Sequence, residues 1–72
     1  MMNKDYEIII SSLPDRADVV VEIWIGDNQF AELQQVEGLA VEIYSRPDGE
    51  PWTFEYERLM QIMSEAKTKL LG

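Results

Sequence analysis

Three glutamates interrupt three apolar, strand-like runs: Glu22 in VEIW (Val21–Trp24), Glu32 in FAEL (Phe30–Leu33) and Glu42 in VEIY (Val41–Tyr44). If the runs pair in sequence order, the carboxylates become neighbours. Carboxylates about 5 Å apart can act as nucleophile and general acid in retaining glycoside hydrolysis, so acid–base chemistry is the first possibility to weigh. The rest of the sequence argues against it. A 72-residue chain has no room for a cleft that holds a sugar and excludes water. Histidine and cysteine are both absent, which removes the common nucleophile–base arrangements. Any zinc would have to be held by carboxylates alone, an unusual structural site. Gly26, Gly38, Gly49 and Gly72 are isolated turn or terminal residues and make no phosphate loop. DNQFAE and PDGE lack calcium-loop spacing. The sequence therefore points to no enzyme, no cofactor and no metal.

Charge narrows the partner instead. Fourteen Asp and Glu against six Lys and Arg give a net charge of −8, with a sequence pI near 4.2. Nucleic acid needs a basic face, and none is visible; an anionic membrane is disfavoured for the same reason. A basic protein would be attracted and steered by this field. The plainer reading is that acidity only keeps the chain soluble. The opening residues, MMNKDYEIIISSLP, hold an apolar run too short for a signal-peptide core, so a cytoplasmic location is expected.

The elements that must position the glutamates can be read from residue pattern. One domain over 1–72 is expected. Strands are predicted at about 6–11, 19–25, 29–35 and 39–44, with 52–54 allowed as a short fifth. The run VVVEIWI has the β-branched content of a strand, and SLPDRAD, with Pro14 and Asp15, reads as a turn. From about Glu55 to Leu71 the spacing becomes helical, with Tyr56, Leu59, Met60, Met63, Ala66 and Leu70 on one stripe. The fold class is thus α+β: a four- to five-stranded antiparallel meander with one C-terminal helix packed on its apolar face. A chain this small buries only roughly 60% of its unfolded surface and often needs a staple such as a disulfide, metal or partner.

Gly26–Asn28 and Val36–Gly38 read as three-residue hairpin loops, with Asn28 and Gly38 at the left-handed position. That register sets Glu22 opposite Glu32 and Glu32 opposite Glu42. It also sets Trp24 opposite Phe30, and Phe30 opposite Tyr44. One face would then carry Val21, Ile23, Ile25, Ala31, Leu33, Leu39, Val41 and Ile43, apolar throughout. The other would carry the glutamates beside a row of aromatics. A solvated sheet face rich in Glu is ordinary, and cross-strand aromatics can stabilise it without any function. Two details favour a binding surface: like charges lie opposite each other with no basic residue in the three strands, and three aromatics rimmed by acid suit a protein partner. The predicted contact residues are Glu22, Trp24, Asp27, Phe30, Glu32, Glu42, Tyr44 and Asp48, with Asp48 in a second element, the Arg46–Glu50 loop. Trp52 and Phe54 alternate with Thr53 and are expected to point together into the core.

A small acidic meander ending in EIYSRPDGEPWTF and an amphipathic helix resembles the short immunity proteins encoded beside bacterial polymorphic and contact-dependent growth-inhibition toxins. The resemblance lies in size, charge and layout, and it transfers no individual residue. It implies a cytoplasmic protein that binds a cognate toxin domain, often a basic nuclease, and occludes it without chemistry of its own. The alternative is a small self-associating structural domain, a homodimer through the Trp24, Phe30 and Tyr44 face. The expected state is a monomer or weak homodimer. A complex with a basic partner weakens with salt, whereas self-association of acidic faces strengthens with it.

Overall fold

The computed structural model describes residues 5–12, 19–35 and 37–72. It contains β1 (Tyr6–Ser12), β2 (Val19–Ile25), β3 (Asn28–Gln35), β4 (Leu39–Ile43) and α1 (Tyr56–Leu71). The strands form one antiparallel sheet in the order β1-β2-β3-β4, the predicted meander with its C-terminal helix. Residues 50–55 lie outside both the sheet and the helix, so 52–54 adds no fifth strand. The turn expected at Pro14 and Asp15, and Arg16 with it, lies outside the described residues.

The register keeps the predicted glutamate pairing but reaches it by another route. Ile25 pairs with Asn28, so Gly26 and Asp27 alone make the turn. Gly26 has φ +61° and Asp27 lacks a positive φ, the pattern of a two-residue turn with glycine first. That turn alone would shift β3 by one residue. An irregularity after Ile23 restores the phase: Ile23 faces Ala31, Trp24 faces Gln29, and Phe30 is the inserted residue. At the second hairpin Gln35 pairs with Leu39, as a three-residue loop requires. There both Glu37 (φ +96°) and Gly38 (φ +120°) adopt left-handed backbone.

The core is built from Val21, Ile23, Phe30, Ala31 and Leu33 of the sheet, closed by Ile62 and Ala66 of α1. Leu59, Met63 and Leu70 pack around them. Two stripe residues of the prediction fall elsewhere: Tyr56 is 70% exposed and Met60 is exposed. The helix is rotated so that Ile62 replaces them at the centre. Its other flank is fixed on β1: the Tyr6 hydroxyl donates to Glu65 Oε1 at 2.8 Å. Arg58 pairs with Asp5 and lies 5.6 Å from the centroid of the Tyr6 ring. Substituting Met60 with Gln should consequently leave the unfolding free energy from urea titration within about 0.5 kcal/mol of the parent, as for an exposed site; a core residue would cost far more.

Helix ends follow from local chemistry. Glu55 is extended and caps nothing with its side chain, but its carbonyl accepts from Leu59 N–H at 3.0 Å. Glu57 in the first turn and Lys69 in the last complement the helix dipole. Gly72, at φ +91°, ends the helix and donates its N–H to Thr68 O.

The helix lies over β1, β2 and β3 and makes no contact with β4 among the described residues. The apolar face is therefore only partly covered. Leu39, Val41 and Ile43 were expected in the core, but Leu39 and Val41 are each 42% exposed and Ile43 is 62% exposed.

Candidate functional site

Strand alternation puts Glu22, Glu32 and Glu42 on the sheet face opposite α1. The pairing sets Glu22 directly across from Glu32, and Glu32 across from Glu42. On β1 the row ends at Ile9, which faces Glu22. This face is not uniformly wet: alternation assigns Val20 to it, yet Val20 is only 2% exposed.

Each carboxylate of the row has a neutral donor beside it. The Trp24 indole N–H donates to Glu22 Oε1 at 2.9 Å. The Tyr44 phenol lies near enough to Glu32 for that carboxylate to favour its protonated form. Gln34 Nε2 reaches Glu42 Oε1 at a long 3.5 Å. No ion pair to the row occurs among the described residues: Arg46 pairs with Asp48 and Arg58 with Asp5. The three negative charges thus stand side by side, half-buried to exposed and steadied by dipoles, with no cation among the described residues to offset their mutual repulsion. Nor do they converge, since among the described residues no group of three or more acidic side chains could hold a metal ion.

Tyr44 reports this field. Its phenol is raised above the usual value of 10.0, first by burial, then by the charges of Glu32 and Glu42, by the nearness of the Glu32 carboxylate to its hydroxyl, and by Glu22. The neutral phenol is the form the fold favours. Its contribution to stability is complete below pH 10 and is lost as pH rises through the higher folded value. Glu32→Gln should bring the Tyr44 ionisation down towards its ordinary value. Tyr6, raised chiefly by its bond to Glu65, should not move. Ring-labelled tyrosine NMR through the alkaline range measures both; an unmoved Tyr44 would place its hydroxyl away from the row.

The predicted contact residues divide as follows. Glu22, Trp24, Glu32, Glu42 and Tyr44 share the face. Asp27 sits exposed in the Gly26–Asp27 turn, at the sheet end where Trp24 and Tyr44 lie. Asp48 is exposed at that same end, but its carboxylate is occupied. It accepts from Glu50 N–H at 3.0 Å and from Arg46 Nη2 at 2.6 Å. The first of these is the larger cause holding its carboxyl below the usual range, partly opposed by burial and assisted by Arg46. The Arg46–Glu50 loop is therefore folded on itself, with Arg46 also 5.6 Å from the centroid of Trp52.

Phe30 does not belong to the face. It is 5% exposed, because the inserted position turns its ring to the core. It meets the edges of Trp52 at 5.2 Å and Phe54 at 4.8 Å between centroids. Trp52 and Phe54 point the same way, as expected, and lie nearly parallel, with an interplanar angle of 8°. The Trp52 indole N–H donates to Tyr44 O at 2.8 Å. The aromatic row beside the glutamates is thus reduced to Trp24 and Tyr44. The part played by Gln34 was missed from sequence; its position two residues from Glu32 on the same strand was the available signal.

Compared with protein-family models, curated proteins and solved structures, the chain has no significant match to any of the three. Among the described residues, no helix is long and apolar enough to cross a membrane.

Proposed function

We propose that this protein is a binding module whose glutamate face engages a basic protein, and that it serves as a toxin-neutralising immunity protein acting by stoichiometric occlusion in the cytoplasm. One observation carries the reading: Glu22, Glu32 and Glu42 lie across from one another on paired strands with neutral donors and no cation among the described residues. A row of like charges costs the free chain a few tenths of a kcal/mol per pair, roughly, and a partner's Lys or Arg would relieve it. Trp24 and Tyr44 supply amphipathic anchors at one end of the row, the residue types that dominate interface energetics. Occlusion needs no catalytic group, only a surface that competes for the partner's own substrate-binding cations.

The test is co-production with the product of the adjoining reading frame. The expected result is a toxic product relieved by this chain, in a complex that dissociates as salt rises. A non-toxic neighbour that does not bind the chain overturns the toxin reading. The self-association alternative, as a Trp24, Phe30 and Tyr44 face, loses its central residue to the core.

A further inference from the structure

The edge strand β4 combines two unsatisfied properties in the same residues. Tyr44 N–H donates to Phe30 O at 2.9 Å, so Tyr44 bonds inward to β3. In an antiparallel ladder the bonding direction alternates, so Ala40 and Glu42 also bond inward. Leu39, Val41 and Ile43 then direct their N–H and C=O groups outward, away from β3. Their side chains are the exposed apolar ones left beyond the helix. Natural edge strands are usually blunted by a lysine, a proline or a bulge. β4, LAVEI, has none of these.

We infer that β4 is a self-pairing edge: a second copy of this chain adds to it antiparallel, about a two-fold axis at Val41, and joins the two sheets into one. The register selects this occupant. With the axis at Val41, Val41 meets Val41 of the second copy, and Leu39 meets Ile43 of the second copy. With the symmetry-related meeting of Ile43 and Leu39 of the second copy, these three pairs use the outward backbone groups of both strands. The same side then carries Leu39, Val41 and Ile43 of both copies as one apolar strip beside the two helices. On the opposite side Glu42 meets Ala40 of the second copy, so no carboxylates collide. The neighbouring two-fold registers are worse. An axis at Glu42 sets the two Glu42 side chains face to face, and an axis at Ala40 sets Ile43 against Glu37. A 72-residue chain with no cysteine gains in this way the extra burial that small domains commonly take from oligomerisation.

The net charge of −8 on each copy sets the salt dependence. Repulsion between copies is long-range and screened, whereas backbone and apolar pairing is not. The association is therefore weak at low salt and tightens as salt is added, opposite in sign to binding of a basic partner.

Sedimentation equilibrium over a range of concentration and salt reads the dimer. The expected result is a severalfold tightening with salt, abolished by Val41→Lys, which places like charges together at the axis while lowering the net charge that opposes assembly. Val41 is exposed, so the variant should keep the parent melting curve. Cysteine variants of this cysteine-free chain then read the register. Val41→Cys should cross-link to itself on mild oxidation, since residues paired across such a ladder lie about 5.5 Å apart at Cα, within disulfide reach. Ala40→Cys alone should not, but Ala40→Cys mixed with Glu42→Cys should give the mixed product. A monomer at every salt and concentration overturns the inference. So does a dimer that survives Val41→Lys, or self-linking of Ala40→Cys in preference to Val41→Cys.

Discussion

Phe30→Ala is expected to lower the unfolding free energy by about 3–5 kcal/mol, the usual cost of truncating a buried aromatic. The ring is 5% exposed and holds Trp52 and Phe54 edge-on against the sheet. Marginal stability for 72 residues is roughly 4–11 kcal/mol at typical per-residue values, so the variant loses a large share of it and unfolds outright if the parent sits at the low end of that range. Urea titration followed by tryptophan fluorescence measures this directly, because Trp52 loses its packing partner. Were Phe30 a surface anchor, the same substitution would leave the melt nearly unchanged and weaken only binding. A shift below about 1 kcal/mol would return Phe30 to the glutamate face.

Replacing Glu22, Glu32 and Glu42 together by Gln should divide stability from affinity. The amides keep the size of the side chains and the strand pairing while removing three adjacent charges. Stability should stay level or rise by tenths of a kcal/mol per pair, roughly; the indole, phenol and amide donors retain an oxygen to bond. Affinity for a basic partner should fall. The loss reaches about 2–5 kcal/mol if the charges are buried against partner lysines or arginines, and appears as faster dissociation. If they stay at the rim, association slows and the salt dependence flattens. Full protection by the triple variant against the toxic neighbour would remove this face from the interface. A collapse of stability would instead assign the glutamates an internal role, which the pairing of Arg46 with Asp48 and Arg58 with Asp5 argues against.

The strands were legible because β-branched runs and period-two alternation act locally. The glutamate pairing was legible too, though for an instructive reason. A three-residue loop with its bulge at Asn28 and a two-residue turn with its bulge further along the strand at Phe30 contain the same number of residues between Glu22 and Glu32. Counting cannot separate them, and either gives the observed pairing. Only the residue taken into the bulge differs, which is why Phe30 was assigned to the wrong side: an aromatic suits a wet sheet face or a core equally. The rotation of the helix was hidden for a similar reason. Met60 and Ile62 are both apolar, and the choice between them is made by side chains distant in sequence, Tyr6 with Glu65 and Asp5 with Arg58. The exposure of β4 depends on where one helix sits across four strands, a quantity no local pattern encodes.

That placement also orders how the molecule comes apart. β4 is held by its ladder to β3 and, just beyond it, by the Trp52 indole bond to the Tyr44 carbonyl, without support from α1. Segments with few apolar contacts open at a fraction of the global free energy, so its amides should exchange before those of β2. Each such opening bares the edge of β3 with its buried Ala31 and Leu33, a template for indiscriminate strand pairing. The indole of Trp52 therefore bears on solubility as well as packing, since loosening it turns a folded chain into a seed for aggregation.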